Sequence, residues 1–215
     1  MAQLFPRWFG FVFRLGVLAA VVIIIAVLLL WRVATAEPTT PHDPLEQPVP
    51  FSHKHHVGDD GIDCRYCHGS VEQSAFAGIP PLSTCMTCHS QLFTDQPVLE
   101  PLVASYRSGV PFHWQRLHKL PDFVYFNHSI HIAKGVGCES CHGRIDEMPL
   151  TAQVAPLTMQ WCLDCHRDPA PNLRPRNEVF SMTWRAKDQH ALGMRLMREY
   201  HIDTRRLTDC STCHR

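Results

Sequence analysis

Cys64-Arg65-Tyr66-Cys67-His68 is the stretch on which the reading of this chain turns, because its pattern returns four times. The other copies run from Cys85 to His89, Cys138 to His142, Cys162 to His166 and Cys210 to His214. All ten cysteines stand in a Cys-x-x-Cys pair, and each pair is followed at once by histidine. With 15 histidines in 215 residues, five such placements by chance have a probability of roughly one in a million. A disulfide framework has no reason to space every cysteine alike, and a zinc knuckle has no use for a histidine directly after each pair. Covalent attachment of haem c accounts for both. Two thioether bonds staple the porphyrin edge, and the adjacent histidine becomes the proximal iron ligand.

Five motifs therefore predict five covalently bound haems. The attaching residues are Cys64, Cys67, Cys85, Cys88, Cys138, Cys141, Cys162, Cys165, Cys210 and Cys213, and the proximal ligands are His68, His89, His142, His166 and His214.

An internal repeat organises the region around the motifs. Phe51-Ser52-His53-Lys54-His55-His56 precedes the first motif, and Phe126-Asn127-His128-Ser129-Ile130-His131 precedes the third. Pro80-Pro81-Leu82 stands before the second motif as Pro156-Leu157-Thr158 stands before the fourth. Each half thus offers two haems in need of a sixth ligand and two histidines outside the motifs. Bis-histidine ligation by His53, His56, His128 and His131 is the economical solution, since residues at i and i+3 share a helix face. His55, His42 and His190 read as surface histidines.

The amino-terminal segment has Arg7 and Arg14 ahead of an uncharged run from Leu15 to Trp31, closed by Arg32. Its length reaches the lower edge of a membrane span, and Trp8, Phe9, Phe11, Phe13 and Trp31 suit the two interfaces. A cleaved signal peptide ending at Ala34-Thr35-Ala36 is the rival, but the apolar run exceeds the usual core of such a peptide. A retained single-pass anchor in the bacterial cytoplasmic (inner) membrane is expected, with the haem domain on the periplasmic side where this attachment chemistry is completed.

From Glu37 on, Pro38, Pro41, Pro44, Pro48 and Pro50 describe an extended tether. The expected organisation is an anchor at 1–36, a tether at 37–50, a first dihaem module at 51–100, a connecting segment with a second dihaem module at 101–175, and a carboxy-terminal segment with the fifth haem at 176–215.

The fold class expected is mainly α with extensive irregular structure, wrapped around five haems, plus one transmembrane helix. The haems would supply apolar core that a chain of this size otherwise lacks. Gln96 to Tyr106 and Lys187 to Tyr200 read as the longer helices, the second with Leu192, Leu196 and Tyr200 on one stripe. Seventeen prolines oppose extensive regular structure elsewhere. Twenty acidic residues balance twenty lysines and arginines, so nothing draws the chain to nucleic acid. Haem propionates would make the domain acidic unless arginines such as Arg167, Arg174, Arg176, Arg205 and Arg206 pair with some of them.

Several stretches resemble the pentahaem cytochrome subunit of bacterial alternative complex III. They are Phe51-Ser52-His53-Lys54 through Cys64-Arg65-Tyr66-Cys67-His68, Ser74-Ala75-Phe76-Ala77-Gly78-Ile79-Pro80, and His118-Lys119-Leu120-Pro121-Asp122-Phe123-Val124-Tyr125-Phe126-Asn127-His128. Pro156 to His166, with Trp161-Cys162-Leu163-Asp164, and Asp209-Cys210-Ser211-Thr212-Cys213-His214-Arg215 continue the likeness. The module is similar to class III cytochromes c and their small trihaem relatives, whose Phe-x-His-x-x-His histidines serve as sixth ligands.

The resemblance implies an electron-transfer subunit of a quinol:acceptor oxidoreductase. Its partners would be large membrane subunits, an iron-sulfur subunit and a monohaem cytochrome c, and it would deliver electrons to a periplasmic cytochrome or terminal oxidase. It also directs attention to His118 as sixth ligand of the fifth haem, held in direction by Pro121. The other candidates there are His113, His190, His201, Met148, Met159, Met182, Met194 and Met197. Two further readings stand beside this one. A quinol-oxidising membrane multihaem cytochrome feeding a periplasmic reductase would need a haem at the membrane face, and about 27 residues separate Glu37 from Cys64. A catalytic multihaem enzyme would need an iron with an open position, whereas spare histidines are plentiful here.

Overall fold

The computed structural model describes residues 6, 8–35 and 43–215. Arg7, Ala36, His42 and the tether residues 37–42, including Pro38 and Pro41, lie outside the described residues. The chain divides into two compact units, Met1–Thr40 and Pro41–Arg215.

The first unit is one helix, α1, Phe9–Thr35. It starts where the backbone N–H of Phe9 donates to the Pro6 carbonyl at 2.9 Å, and Phe9 and Phe13 stack one turn apart, ring centres 6.3 Å from each other. The stretch Phe9–Arg32, with Arg14 inside it and Arg32 at its end, contains an 18-residue window of mean hydropathy 2.9. At 1.5 Å per residue such a helix is about 36 Å long, enough for a hydrocarbon core of about 30 Å. By length and composition it can cross a membrane.

The second unit carries short helices at each haem motif. These are α2 (Cys64–Cys67), α3 (Leu82–His89), α6 (Glu139–His142), α7 (Met159–Arg167) and α9 (Cys210–Cys213); between them lie α4 (Glu100–Ser108), α5 (His128–Ala133) and α8 (Gln189–Glu199). Local chemistry starts several of them. Asp63 accepts from the Arg65 N–H at 2.8 Å, Asn127 from Ser129 at 2.9 Å, Thr158 from Trp161 at 3.3 Å and Asp188 from Ala191 at 2.9 Å. No strand occurs among the described residues; sheet-like pairing is confined to three isolated bridges, Pro44 with Ala152, Val124 with His214 and Val136 with Leu173.

The protein-only core is small. Leu173, Leu196 and Tyr200 form a buried cluster against which Val136, Leu192, Met197 and Ile202 pack, which realises the stripe expected on α8. Gly193 of α8 lies against the Ala170 backbone, where any Cβ would collide with the carbonyl, so this close crossing requires glycine. Elsewhere large apolar side chains stay open beside the motifs: Phe76 is 67% exposed, Phe93 56% and Tyr66 52%. Such scattered openness in so small a core suits a protein whose apolar filling is a prosthetic group.

Candidate haem-binding site

The two Phe-x-His-x-x-His stretches adopt the same local arrangement. Phe51 stacks on His56 with ring centres 4.6 Å apart and meets His53 edge-on at 4.9 Å. Phe126 stacks on His131 at 4.5 Å and meets His128 edge-on at 4.8 Å. One phenylalanine thus clamps both imidazoles of its module. His128 and His131 lie on α5, whereas His53 precedes a π-helical turn, Lys54–Asp59, that carries His56.

A second order governs the ring nitrogens. The Nδ1 atoms of four motif histidines meet backbone carbonyls: His68 that of Gly78 at 2.7 Å, His89 that of Leu92 at 3.3 Å, His166 that of Leu207 at 2.8 Å and His214 that of Phe123 at 3.2 Å. The repeat histidines follow suit. His56 meets Ser52 O at 2.8 Å, His128 meets Ala75 O at 2.8 Å, His131 meets Asn127 O at 2.7 Å, and His53 meets the hydroxyl of Thr151 at 2.8 Å. A carbonyl can only accept, so Nδ1 must carry the proton and Nε2 keeps its lone pair. That is the tautomer a metal requires.

Three motif histidines face a repeat histidine across a gap. The ring centres are 6.1 Å apart for His56 and His89, 6.5 Å for His128 and His142, and 6.2 Å for His131 and His166. A metal bonded to one nitrogen of each ring at about 2 Å would set ring centres about 6 Å apart, close to the spacing of all three pairs. Among the described residues, no group of three or more His, Cys, Asp or Glu side chains is placed to hold a metal ion by itself.

His53, His68, His118, His128 and His142 form one electrostatic group. Burial first, then neighbouring His68, His56 and His118, pushes His53 down to about 4. Burial, then His118, His128, His68 and His53, pushes His142 down to about 3. His118 is also lowered, by burial and then by His128. Its Nε2 is buried without a hydrogen-bond partner, a state that costs free energy unless a ligand occupies the lone pair.

The sequence reading set His118 over the fifth motif, but the structure lays its ring 4.5 Å from His142 of the third. The ring contact of His214 is with Phe123, at 5.8 Å. Among the methionine candidates, Met182 is buried and Met197 packs on the core cluster, while Met159 is 63% exposed. His55 is exposed, 3.6 Å from Asp60.

Seven of the ten thiols are held away from the nucleophilic thiolate form. Burial pushes Cys138 up to about 11 and Cys141 up to about 12, and raises Cys64, Cys67, Cys85, Cys162 and Cys165. The arginines considered for propionates have protein partners: Arg174 with Glu139 at 3.3 Å, Arg167 with Asp164 at 3.3 Å, Arg205 with Asp203 at 2.7 Å, Arg206 with Asp209 at 4.0 Å, and Arg176 above the Tyr200 ring. Sequence reasoning missed the clamping role of Phe51 and Phe126, whose signal was their repeated offset of two and five residues from the histidines. It also missed the Nδ1 acceptors, most of which are backbone atoms with no side-chain signature.

Residues 124–215 match the family described as cytochrome c7 and related cytochrome c. A protein of Nitratidesulfovibrio vulgaris named "Menaquinone reductase, multiheme cytochrome c subunit" is 41% identical over 98 residues, 45% of this chain and 46% of the relative. The chain therefore spans less than half the length of that relative. The family likeness covers 92 of the 215 residues, and within it lie the last three Cys-x-x-Cys-His motifs and the second Phe-x-His-x-x-His stretch.

Proposed function

We propose that the chain is a membrane-anchored pentahaem cytochrome c, an electron-carrying subunit of a quinone-linked membrane complex rather than an enzyme in itself. The three facing histidine pairs carry this reading. Haem, when bound, supplies one-electron iron chemistry. Cys64 and Cys67, Cys85 and Cys88, Cys138 and Cys141, Cys162 and Cys165, and Cys210 and Cys213 would attach one haem each, with His68, His89, His142, His166 and His214 as proximal ligands.

His56 then stands opposite His89, His128 opposite His142, and His131 opposite His166. His53 would then serve the iron of His68, the motif histidine of the first half that His56 does not face. His118 is a further ligand on the strength of its buried, free Nε2. With two imidazoles on an iron, the chain leaves substrate no place there, and a six-coordinate centre reorganises little on reduction.

The resemblance to alternative complex III supports electrons arriving from quinol oxidation through an iron-sulfur partner and leaving to a monohaem cytochrome c, a periplasmic cytochrome or a terminal oxidase. The printed name of the relative favours a second reading, in which a periplasmic donor reduces the chain and electrons go on to menaquinone. In both, α1 is the membrane anchor and the haem domain faces the periplasm.

Ferric-state electron paramagnetic resonance on the purified protein tests the ligation. Low-spin signals should dominate, and alanine at His56, His128 or His131 should each convert one haem to high spin; three unchanged spectra would refute the pairing. Adding menaquinol to the complex in vesicles separates the two directions. Reduction of the haems by menaquinol supports the first, and reduction only by a soluble donor supports the second.

A further inference from the structure

The first histidine of each repeat is oriented by the other half of the molecule. His128 places its Nδ1 on the Ala75 carbonyl at 2.8 Å, and backbone N–H groups of His128 and Ser129 donate to Ala75 and Ser74 at 3.2 Å each. His53 reaches in the opposite direction, to Thr151 at 2.8 Å. The second histidines, His56 and His131, use the carbonyl four residues earlier in their own segment. Among the hydrogen bonds described above, His53 stands apart, because the partner of its Nδ1 is a side-chain hydroxyl, which can donate or accept.

The backbone delivers Thr151 to this place. The Lys54 N–H donates to the Met148 carbonyl at 2.9 Å. Gly58 lies so close to the Asp146 carbonyl that a Cβ would collide with it, so glycine is what lets the 3₁₀ turn Ile145–Glu147 pack on Lys54–Asp59. On the far side, Ala152 bridges to Pro44. Thr151 is half-buried between two fixed points.

We propose that Thr151 is a positioning residue for His53: its hydroxyl accepts the Nδ1 proton, and so sets how strongly Nε2 donates to iron. This rests on the reading of His53 as an iron ligand. The partner of a ligating imidazole tunes its donor strength, and loss of that partner weakens it. A hydroxyl is a softer acceptor than the carbonyls used by the other imidazoles, so the iron served by His53 is set toward a more positive potential than an amide acceptor would give. The second half of the chain thereby adjusts a redox centre of the first.

The test is a spectroelectrochemical titration of the haem-loaded protein, paired with ferric paramagnetic resonance. Thr151→Val keeps the shape and removes the acceptor. One midpoint potential should move positive and one low-spin signal should change its g values, with the rest unmoved. Thr151→Ser should restore both. If the valine variant fails to mature, Thr151→Ala carries the same expectation.

Unchanged potentials in the valine or alanine variant would overturn the proposal, as would an equal shift in Thr151→Ser, which would make the effect one of packing. His53→Ala separates the two levels. A new high-spin haem in that variant with no shift in Thr151→Val leaves the ligand reading standing and removes Thr151. A spectrum unchanged by His53→Ala removes both.

Discussion

A neutral imidazole is the smallest unit of this protein, and it has a pH signature. His53 and His142, at about 4 and about 3 in the fold, sit below the ordinary 6.5. Both stay neutral when folded, while the unfolded chain takes up protons as pH falls through 6.5. Their contribution to stability is therefore complete above about pH 6.5 and is lost as pH drops toward 4 and 3. Iron on Nε2 would likewise keep both imidazoles from taking a proton in the fold, so the denaturant midpoint of the haem domain should fall as pH drops below about 6.5; a rise on acidification would contradict the assignment. The phenylalanine clamp makes a second prediction. Phe126→Ala removes the ring against His128 and His131, should cost about 3 kcal/mol if the cavity persists, and should partly convert two haems to high spin. Thioether attachment keeps all haems bound, so the loss is read by spectrum and melting, not by haem content. The motif cysteines and histidines were legible because covalent chemistry demands fixed spacing. His118 was not, because nothing in its neighbours in sequence tells that its ring meets His142 across 24 positions.

The helices that carry the Cys-x-x-Cys pairs are only four to nine residues long, and helix bounds follow local rules. The sequence suggested an apolar run from Leu15, whereas α1 begins at Phe9: Arg14 is a good helix former and can carry its charge away from the apolar surface on a long stem, so it does not end the helix. Gln96 to Tyr106 was expected as one helix. It divides into a 3₁₀ turn at Pro97–Leu99 and α4 at Glu100–Ser108, since Pro101 is tolerated only in a first helical turn. For α8 the stripe read correctly, but its crossing with Ala170 was invisible, because contact between backbones leaves only a glycine behind. Gly193→Ala should destabilise the haem domain by about 1–3 kcal/mol through overpacking. A thermal melt of the haem-loaded protein measures it, and an unchanged melting temperature would show that α8 and Ala170 can separate without loss.

At the scale of the whole chain, the scarcity of buried apolar side chains and the openness of aromatics beside the motifs have one consequence. On the proposed reading the polypeptide alone has too little to bury, and the prosthetic groups would complete its interior. Chain made without haem attachment should show no cooperative unfolding transition by calorimetry; a sharp one would mean that the core in hand suffices. The anchor is tested separately, by amino-terminal sequencing of protein extracted from membranes: an intact segment through α1 is expected, and a start near Glu37 would contradict retention. Protease added to spheroplasts should digest the haem domain if it faces outward. The mainly helical, irregular architecture was legible from proline content and motif spacing. The way the halves interlock was not, because Thr151 with His53 and Ala75 with His128 are contacts of residues with no unusual sequence. Intact-mass measurement of the denatured protein tests the central claim most directly, because thioether-bound haem survives unfolding. The account predicts the polypeptide plus five haems, falling to four when Cys210 and Cys213 are both replaced by alanine; a mass with fewer than five, or that of the bare chain, would contradict it.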